Sequence, residues 1–326
     1  MVFPATFKAY QYQQRGGPFD VVALNLAAPQ PALEPNQVRV KIFSAAVNPV
    51  DLHIVDGTSG TPSPTPSPDS PANYGFDLAG TIVEVGNTVK NFVVGDEVYA
   101  MTTFEDTGAF AEYFAIDAEL VAIKPKTLSF NEAAAIPLAA LTSYQALVNY
   151  GQIKKGDRVL ILGGSGGTGT FAVQIAKALG AFVITTTSFR NVELVQSLGA
   201  DQVVDYTKAK WVDVVEEHSI DILYDCGAEP NSWATDAQQV LRPGGRFVTI
   251  LVIKDRIESP IGATGTGMLV SSNGDDLTKL TQLVEAGKLS PVIDSVHPFE
   301  KLSDALKVQQ SGRAKGKIVV EIVKSE

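Results

Sequence analysis

From Phe7 to about Lys124 apolar and polar residues alternate in short runs, among them Val38-Arg39-Val40-Lys41-Ile42 and Thr81-Ile82-Val83-Glu84-Val85, in stretches that end at Asn48 and Gly86. Period-two runs rich in β-branched residues fit half-buried strands, so this stretch predicts a mostly antiparallel β domain. Within it, Thr58 to Asn73 is rich in Pro, Ser and Thr, which can neither pair in a central strand nor hold a helix. That composition predicts a mobile surface loop, with a lid as the functional alternative.

The period changes near Asn131. A helical stretch, Asn131 to Tyr150, precedes Asp157-Arg158-Val159-Leu160-Ile161-Leu162, an apolar run ending in glycines. Thr170 to Leu179 then carries Phe171, Val173, Ile175, Ala176 and Leu179 near helical spacing, stopped by Gly180. Strands are expected at Phe182–Thr187, Gln202–Tyr206, Ile220–Cys226 and Arg246–Ile253, with helices at Asn191–Leu198, Asn231–Leu241 and Asp275–Glu285. Strands and helices in alternation make a doubly wound parallel sheet. A last helix, Phe299–Gln310, and strand, Lys317–Val323, are expected to return to the first domain. The expected division is therefore 1–126 with 293–326, and 127–292, which suits 326 residues, a length beyond that of most single cores.

Composition narrows the partners. A net charge of -10 argues against sequence-independent attraction to nucleic acid or acidic membranes, leaving small molecules and the chain itself. No apolar run approaches the length of a membrane span, and Met1 to Gln11 lacks the regions of a signal peptide, so a cytoplasmic location is expected. The single Cys226 cannot build a disulfide framework and ends an apolar run, as a buried thiol would.

The clearest chemistry is Gly163-Gly164-Ser165-Gly166-Gly167-Thr168-Gly169, a G-x-G-x-x-G pattern directly after a buried strand and directly before a helix. Glycine is needed there for a tight turn, for approach of backbone to a pyrophosphate, and for helix-on-strand packing, while the helix N-terminus offers amides and partial positive charge. An NAD site usually places an acidic residue about twenty positions further on. Between Lys177 and Glu193 there is none; Thr186-Thr187-Ser188-Phe189-Arg190 instead offers hydroxyls and a guanidinium suited to a 2'-phosphate. NADPH is thus preferred over NADH, the alternative being that Arg190 is a solvated residue opening the next helix.

Asn48-Pro49-Val50-Asp51, Gly75-Phe76-Asp77-Leu78-Ala79-Gly80, Val94-Gly95-Asp96-Glu97-Val98, the glycine loop, Ser197-Leu198-Gly199-Ala200-Asp201 and Lys315-Gly316-Lys317-Ile318-Val319 occur in one order over nearly the whole chain. Together they resemble the zinc-free medium-chain dehydrogenase/reductases of the quinone oxidoreductase, zeta-crystallin-like branch. The resemblance implies a Rossmann domain beside a GroES-like domain, and NADPH-dependent transfer of hydride to quinones or α,β-unsaturated carbonyls. It assigns Gly164, Gly166, Gly167 and Gly169 to the pyrophosphate, with Thr142 nearby. Ser188, Arg190 and Tyr206 fall to the 2'-phosphate, Lys317 to closure of the cofactor cleft, and Asn48 to the nicotinamide end and substrate. Positions that hold zinc in related alcohol dehydrogenases read Ala46 to Asp51, Phe76-Asp77 and Ala139 to Leu141, and the chain has only His53, His218 and His297, so no metal is expected. The alternatives are an enoyl-thioester reductase and a non-catalytic NADPH-binding or structural protein.

The remaining candidates are Asp51, His53 and Tyr74. Asn48-Pro49-Val50-Asp51 reads equally as a helix start, with Asn as cap, Pro in the first position and Asp51 reaching back. His53 and Tyr74 compete as proton donors, His53 standing where several relatives place tyrosine. Phe247 to Ile253 would form the last strand of the sheet, an apolar edge that invites a homodimer.

Overall fold

The alternating N-terminal runs fold as β1 (Thr6–Tyr12), β2 (Ala23–Pro29), β3 (Gln37–Val47), β4 (Ala72–Asn73), β5 (Asp77–Val85), β6 (Glu97–Met101), β7 (Tyr113–Asp117) and β8 (Val121–Ile123). The computed structural model describes residues 4–63, 65–253 and 257–323, and Pro64 of the Pro/Ser/Thr segment lies outside them. Val38, Val40 and Ile42 are buried as period two requires, but so is Arg39. Its guanidinium is satisfied by Glu84 at 2.8 Å, Gln30 Oε1 and the Pro31 carbonyl, which offsets the cost of burying a charge. Short helices α1 (Pro18–Val21) and α2 (Pro49–Ile54) interrupt the strands. Arg15 donates to the carbonyl of Ile54 at the end of α2 and to Ser63 Oγ, tying down one end of the Pro/Ser/Thr segment.

The helix expected over Asn131–Tyr150 is broken into α3 (Phe130–Ala134), α4 (Pro137–Tyr144) and a π-helical turn, Gln145–Tyr150. Pro137 explains the break, since it removes a backbone donor and crowds the preceding turn. Ser129 starts α3 through a capping box with Glu132.

Beyond this lie six parallel strands, β9 (Arg158–Leu162), β10 (Phe182–Thr187), β11 (Gln202–Asp205), β12 (Ile220–Asp225), β13 (Leu241–Thr249) and β14 (Thr264–Gly267), ordered β11-β10-β9-β12-β13-β14. Their connections include α5 (Gly167–Ala178), α6 (Val192–Ser197) and α7 (Asp236–Val240). The order reverses between β9 and β12, the doubly wound arrangement in which ligands bind beyond the carboxyl ends of the strands. Leu160, Leu162, Ile184, Leu223 and Phe247 are buried in its core. The helix expected over Asn231–Leu241 is shortened to a 3-10 turn and α7, because Asn231 sits in the left-handed region at φ 67°.

The sheet edge differs from the expectation. Phe247 to Ile253 is not the last strand: β13 ends at Thr249 and β14, Thr-Gly-Thr-Gly, adds beyond it. No apolar period marks those four residues. A Cβ on Gly265 would lie 2.6 Å from the Trp233 ring, so the indole closes on the edge strand only because glycine is there.

The chain then forms α8 (Gly274–Glu285), β15 (Ile293–Pro298), α9 (Leu302–Gln310) and β16 (Lys317–Glu321). β16 pairs with β3 and extends the first sheet to the order β15-β16-β3-β5-β6-β8, with β7 on β3. Two compact units result: one holds the described residues up to Leu138 with Ser271–Glu285 and those from Ile293 onward, the other Ala139–Val270 with Ala286–Val292. Helix α8 thus goes with the antiparallel unit, whereas 127–292 was expected to stay together. Its start meets the backbone of Glu119 and Val121 where a Gly274 Cβ would lie 2.5 and 2.7 Å from their carbonyl oxygens, and Tyr99 donates to the Leu277 carbonyl at 2.7 Å.

Candidate active site

In the parallel unit, the glycine loop joins the end of β9 to α5. Gly163 adopts φ 87°, and a Cβ on Gly164 would lie 2.1 Å from Thr185 Oγ1. On Gly169 it would lie 2.1 Å from the Gly163 carbonyl oxygen, so two of the predicted glycines are required by close packing, of the loop on β10 and of α5 on the loop. Gly166 is different: its nearest neighbour would be 3.5 Å away, leaving open backbone at the helix cap. Among the described residues, the amides of Gly167, Thr168 and Gly169 have no backbone acceptor, and no acidic residue occupies the first turn of α5. Three unpaired N–H groups and the positive end of a twelve-residue helix therefore face whatever lies beyond β9.

Thr186 and Thr187, whose hydroxyls the sequence offered to a 2'-phosphate, instead hold this loop, together with Asn191 and Ser143, which sequence reading did not single out. Thr186 Oγ1 accepts from the Gly163 amide at 2.9 Å, and Ser165 Oγ accepts from Thr187 Oγ1 at 2.8 Å and from Asn191 Nδ2 at 3.1 Å. Ser143 Oγ donates to the Thr168 carbonyl at 2.8 Å, beside predicted Thr142, which is buried on α4. A polar residue after an apolar strand run was the only signal for them, and it is a weak one. Ser188, Arg190 and Tyr206 follow the carboxyl ends of β10 and β11; Arg190 and Tyr206 are exposed, and none of the three side chains has a hydrogen-bond partner among the described residues. Lys208 Nζ lies 4.7 Å from the Phe189 ring centroid, adding a second cation nearby. A cavity of about 450 Å³ opens near the carboxyl ends of β12 and β13, lined by Trp233, Phe247, Leu251 and Val252 with Glu229 and Thr249 at its polar side. Cys226 donates to the Leu162 carbonyl at 3.0 Å, and burial pushes its thiol pKa up.

In the antiparallel unit, Asn48, Asp51, Tyr74 and Lys317 come together, though only 1% of Asn48 and 3% of Lys317 is exposed. Asp51 Oδ2 accepts the Asn48 amide N–H at 2.7 Å, as the helix-start reading requires. The Asn48 side chain is turned elsewhere. Its Nδ2 donates to Asp77 Oδ2 at 2.9 Å and to the Ala46 carbonyl at 3.4 Å, while its Oδ1 accepts from Lys317 Nζ. Lys317 also donates to the Val47 carbonyl at 3.0 Å and Asp77 Oδ2 at 3.2 Å, and Asp77 Oδ1 accepts from the Leu138 amide at 2.7 Å. Asp77 is thus a member of the buried cluster that motif reading passed over, although Gly75-Phe76-Asp77-Leu78-Ala79-Gly80 contains it.

Burial pushes the Asp51 carboxyl up to about 8, only partly countered by the Asn48 amide, and its Oδ1 is buried without a hydrogen-bond partner among the described residues. Asp77 is raised by burial, with the Lys317 ammonium and its donors pulling the other way. Tyr74 is fully buried, donates to the Asp51 carbonyl at 2.7 Å, and is raised well above a free phenol by burial. His53 lies outside this network, exposed near the end of α2. Among the described residues no group of three or more His, Cys, Asp or Glu is placed to hold a metal ion, and no helix is long and apolar enough to cross a membrane.

A doubly wound sheet with an open glycine loop, in one chain with an antiparallel sheet that buries a polar cluster, defines a nucleotide-dependent oxidoreductase. Residues 34–126 match the family model described as alcohol dehydrogenase GroES-like domain, and residues 198–320 match the one described as zinc-binding dehydrogenase. The chain is 39% identical over 97% of its length to 2-methylene-furan-3-one reductase of Solanum lycopersicum, covering 79% of that protein. It is 35% identical to the chloroplastic NADPH-dependent alkenal/one oxidoreductase of Arabidopsis thaliana, over 97% of this chain and 80% of that one. The solved quinone oxidoreductase of Coxiella burnetii superposes with a TM-score of 0.83 at 29% identity, over 97% of this chain and 99% of that chain. The chain belongs to the medium-chain dehydrogenase/reductase family, in its quinone oxidoreductase branch.

Proposed function

We propose that this protein is an NADPH-dependent reductase that delivers hydride to quinones or α,β-unsaturated carbonyl compounds without zinc. The observation that carries the reading is the set of unpaired amides on Gly167, Thr168 and Gly169, beside strand ends that carry Ser188, Arg190 and Tyr206 with free polar groups. Those amides and the helix end would hold the pyrophosphate, and Arg190 with Ser188 and Tyr206 the 2'-phosphate. When bound, the nicotinamide supplies hydride to an electrophilic carbon of the acceptor. The chain's own contribution is to orient acceptor and ring and to exclude water. Trp233, Phe247, Leu251 and Val252 offer an apolar wall suited to a flat conjugated acceptor.

Zinc independence is supported by the commitments of Asp77, whose two oxygens already accept from Leu138, Asn48 and Lys317. Relatives named for alkenals, alkenones and a methylene-furanone support a conjugated carbonyl as acceptor. A cytoplasmic location and a homodimer through the open side of β14 belong to the same reading; Val252, 80% exposed, and Leu269 leave apolar surface in the segments following β13 and β14.

The test is oxidation of NADPH, followed by nicotinamide absorbance, with a phenanthrenequinone, an alkenal and a crotonyl thioester in parallel. Turnover with the first two and not the third is expected; turnover with none overturns the reading. In the same assay Arg190→Ala should weaken NADPH roughly ten-fold and leave NADH nearly unchanged, the loss expected for one partly exposed charge-assisted contact. Equal losses for both cofactors would remove Arg190 from the phosphate site.

A further inference from the structure

The sequence has no carboxylate directly after β10, yet folding brings one beside it. Strand β11 runs parallel to β10 with Asp205 opposite Thr187, and the Tyr206 amide donates to the Thr187 carbonyl at 3.1 Å. Asp205 therefore ends its strand beside the chain that leads into Ser188 and Arg190. An acid at this edge of a nucleotide-binding sheet favours a ribose hydroxyl and repels a phosphate.

The turn after β11 controls that carboxylate. Its Oδ1 accepts from the Thr207 amide at 3.0 Å and the Thr207 hydroxyl at 2.7 Å, and the hydroxyl holds the carboxyl below its usual pKa, so it is ionised. The amides of Lys208 and Ala209 donate to the Asp205 carbonyl, folding the chain back so that Lys208 Nζ stands 3.6 Å from Asp205 Oδ2. The same ammonium lies 4.7 Å from the centroid of the exposed Phe189 ring, and Phe189 stands between Ser188 and Arg190. Lys208 thus bridges the ends of β10 and β11.

An ammonium has three protons, and only part of this one is engaged. The side chain is 68% exposed, so its ion pair is weak in itself and the remaining protons are open to a ligand. A phosphate monoester carries about -1.5 to -2 charges at neutral pH. Arg190 supplies one positive charge, and Asp205 works against it.

We propose that Lys208 is a specificity-determining residue for NADPH: held by Asp205 and the Phe189 ring, it offsets the strand-end carboxylate and gives, with Arg190, the second positive charge that a 2'-phosphate requires. Asp205 opposes that preference. This rests on the nucleotide site proposed above and involves residues of the parallel unit alone.

The test is titration calorimetry of NADPH, NADH and adenosine 2',5'-bisphosphate with the parent, Lys208→Met, Asp205→Asn and the double variant D205N/K208M. Methionine keeps an apolar stem beside Phe189 and asparagine keeps an acceptor for Thr207, so each change removes charge and little else. Lys208→Met should weaken NADPH roughly five- to ten-fold, and Asp205→Asn should tighten it roughly two- to three-fold, with NADH within about two-fold of the parent in both. The double variant carries the same sum of charges as the parent and should fall between the single ones, and the bisphosphate should follow NADPH. Unchanged NADPH binding in Lys208→Met, an equal loss for NADH, or weaker NADPH binding in Asp205→Asn overturns the proposal.

A second readout is independent of affinity. Followed by its phosphorus resonance, the bound 2'-phosphate should titrate below its ordinary value of about 6 in the parent, because two cations favour the dianion, and closer to that value in Lys208→Met. Identical titrations overturn the second charge. A parent that shows these differences and turns over no acceptor counts against the reductase reading and not against Lys208, whereas a parent that binds none of the three nucleotides overturns both.

Discussion

Asp51 illustrates how a single carboxyl joins folding to pH. Its pKa is about 8 in the folded protein against an ordinary value of 3.8, so between those values the native state keeps a proton that the unfolded chain has released. Stability from this group is fully present below about pH 4 and is lost as pH rises through 8, at up to about 1.4 kcal/mol for each pH unit. Asp51→Asn keeps an acceptor for the Asn48 amide and cannot ionise. Relative to the parent, the variant should gain stability steadily across that window, as urea unfolding at about pH 5, 7 and 9 would measure; a constant difference rejects the shifted carboxyl. Sequence placed Asp51 at a helix start because the spacing of Asn, Pro and Asp is local information. It could not give the raised pKa, which arises first from burial away from water and, to a lesser degree, from the charge of Asp77 on β5. For the same reason His53 and Tyr74 looked alike as proton donors. Folding exposes the first and buries the second, with the Tyr74 hydroxyl committed to the Asp51 carbonyl.

Helix α5 acts as one electrostatic object at its first turn. The amides of Gly167, Thr168 and Gly169 make that end positive, and no carboxylate in the turn neutralises it. Thr168→Glu should therefore have effects of opposite sign: the apo protein gains a few tenths to 1 kcal/mol from the charge at the helix end, while NADPH binding weakens. Thermal unfolding without cofactor and titration calorimetry with it would measure the two. Weakening of both would mean that the new side chain acts by crowding. Elements with a strong local period were legible, β9, β10, β12 and α5 among them. Those set by contact were not. The π-helical end of the Asn131–Tyr150 stretch follows no period, and β14 exists as a strand because Thr264 to Gly267 pairs with Arg246 to Thr249 under the Trp233 ring.

At the scale of the whole molecule, the edge of β14, unpaired among the described residues, and a net charge of -10 pull in opposite directions, since an unpaired edge invites a second copy and like charge repels it. Short-range pairing should win at physiological salt, where screening confines repulsion to about 8 Å. Sedimentation at micromolar concentration should find a dimer there and dissociation as salt is removed; a monomer throughout would exclude the edge as an interface. Sequence by itself determined what depends on neighbours along the chain: the alternation that makes one unit antiparallel, the strand–glycine–helix order that leaves amides unpaired at the start of α5, and the lack of a carboxylate directly after β10. The three-dimensional fold alone decided that Lys317 lies against Asn48 and Asp77, that α8 packs with the antiparallel unit, and that β14 closes the parallel sheet. Those outcomes turn on burial and on charges far apart in the chain, and no local period encodes which distant residue will share a dry site.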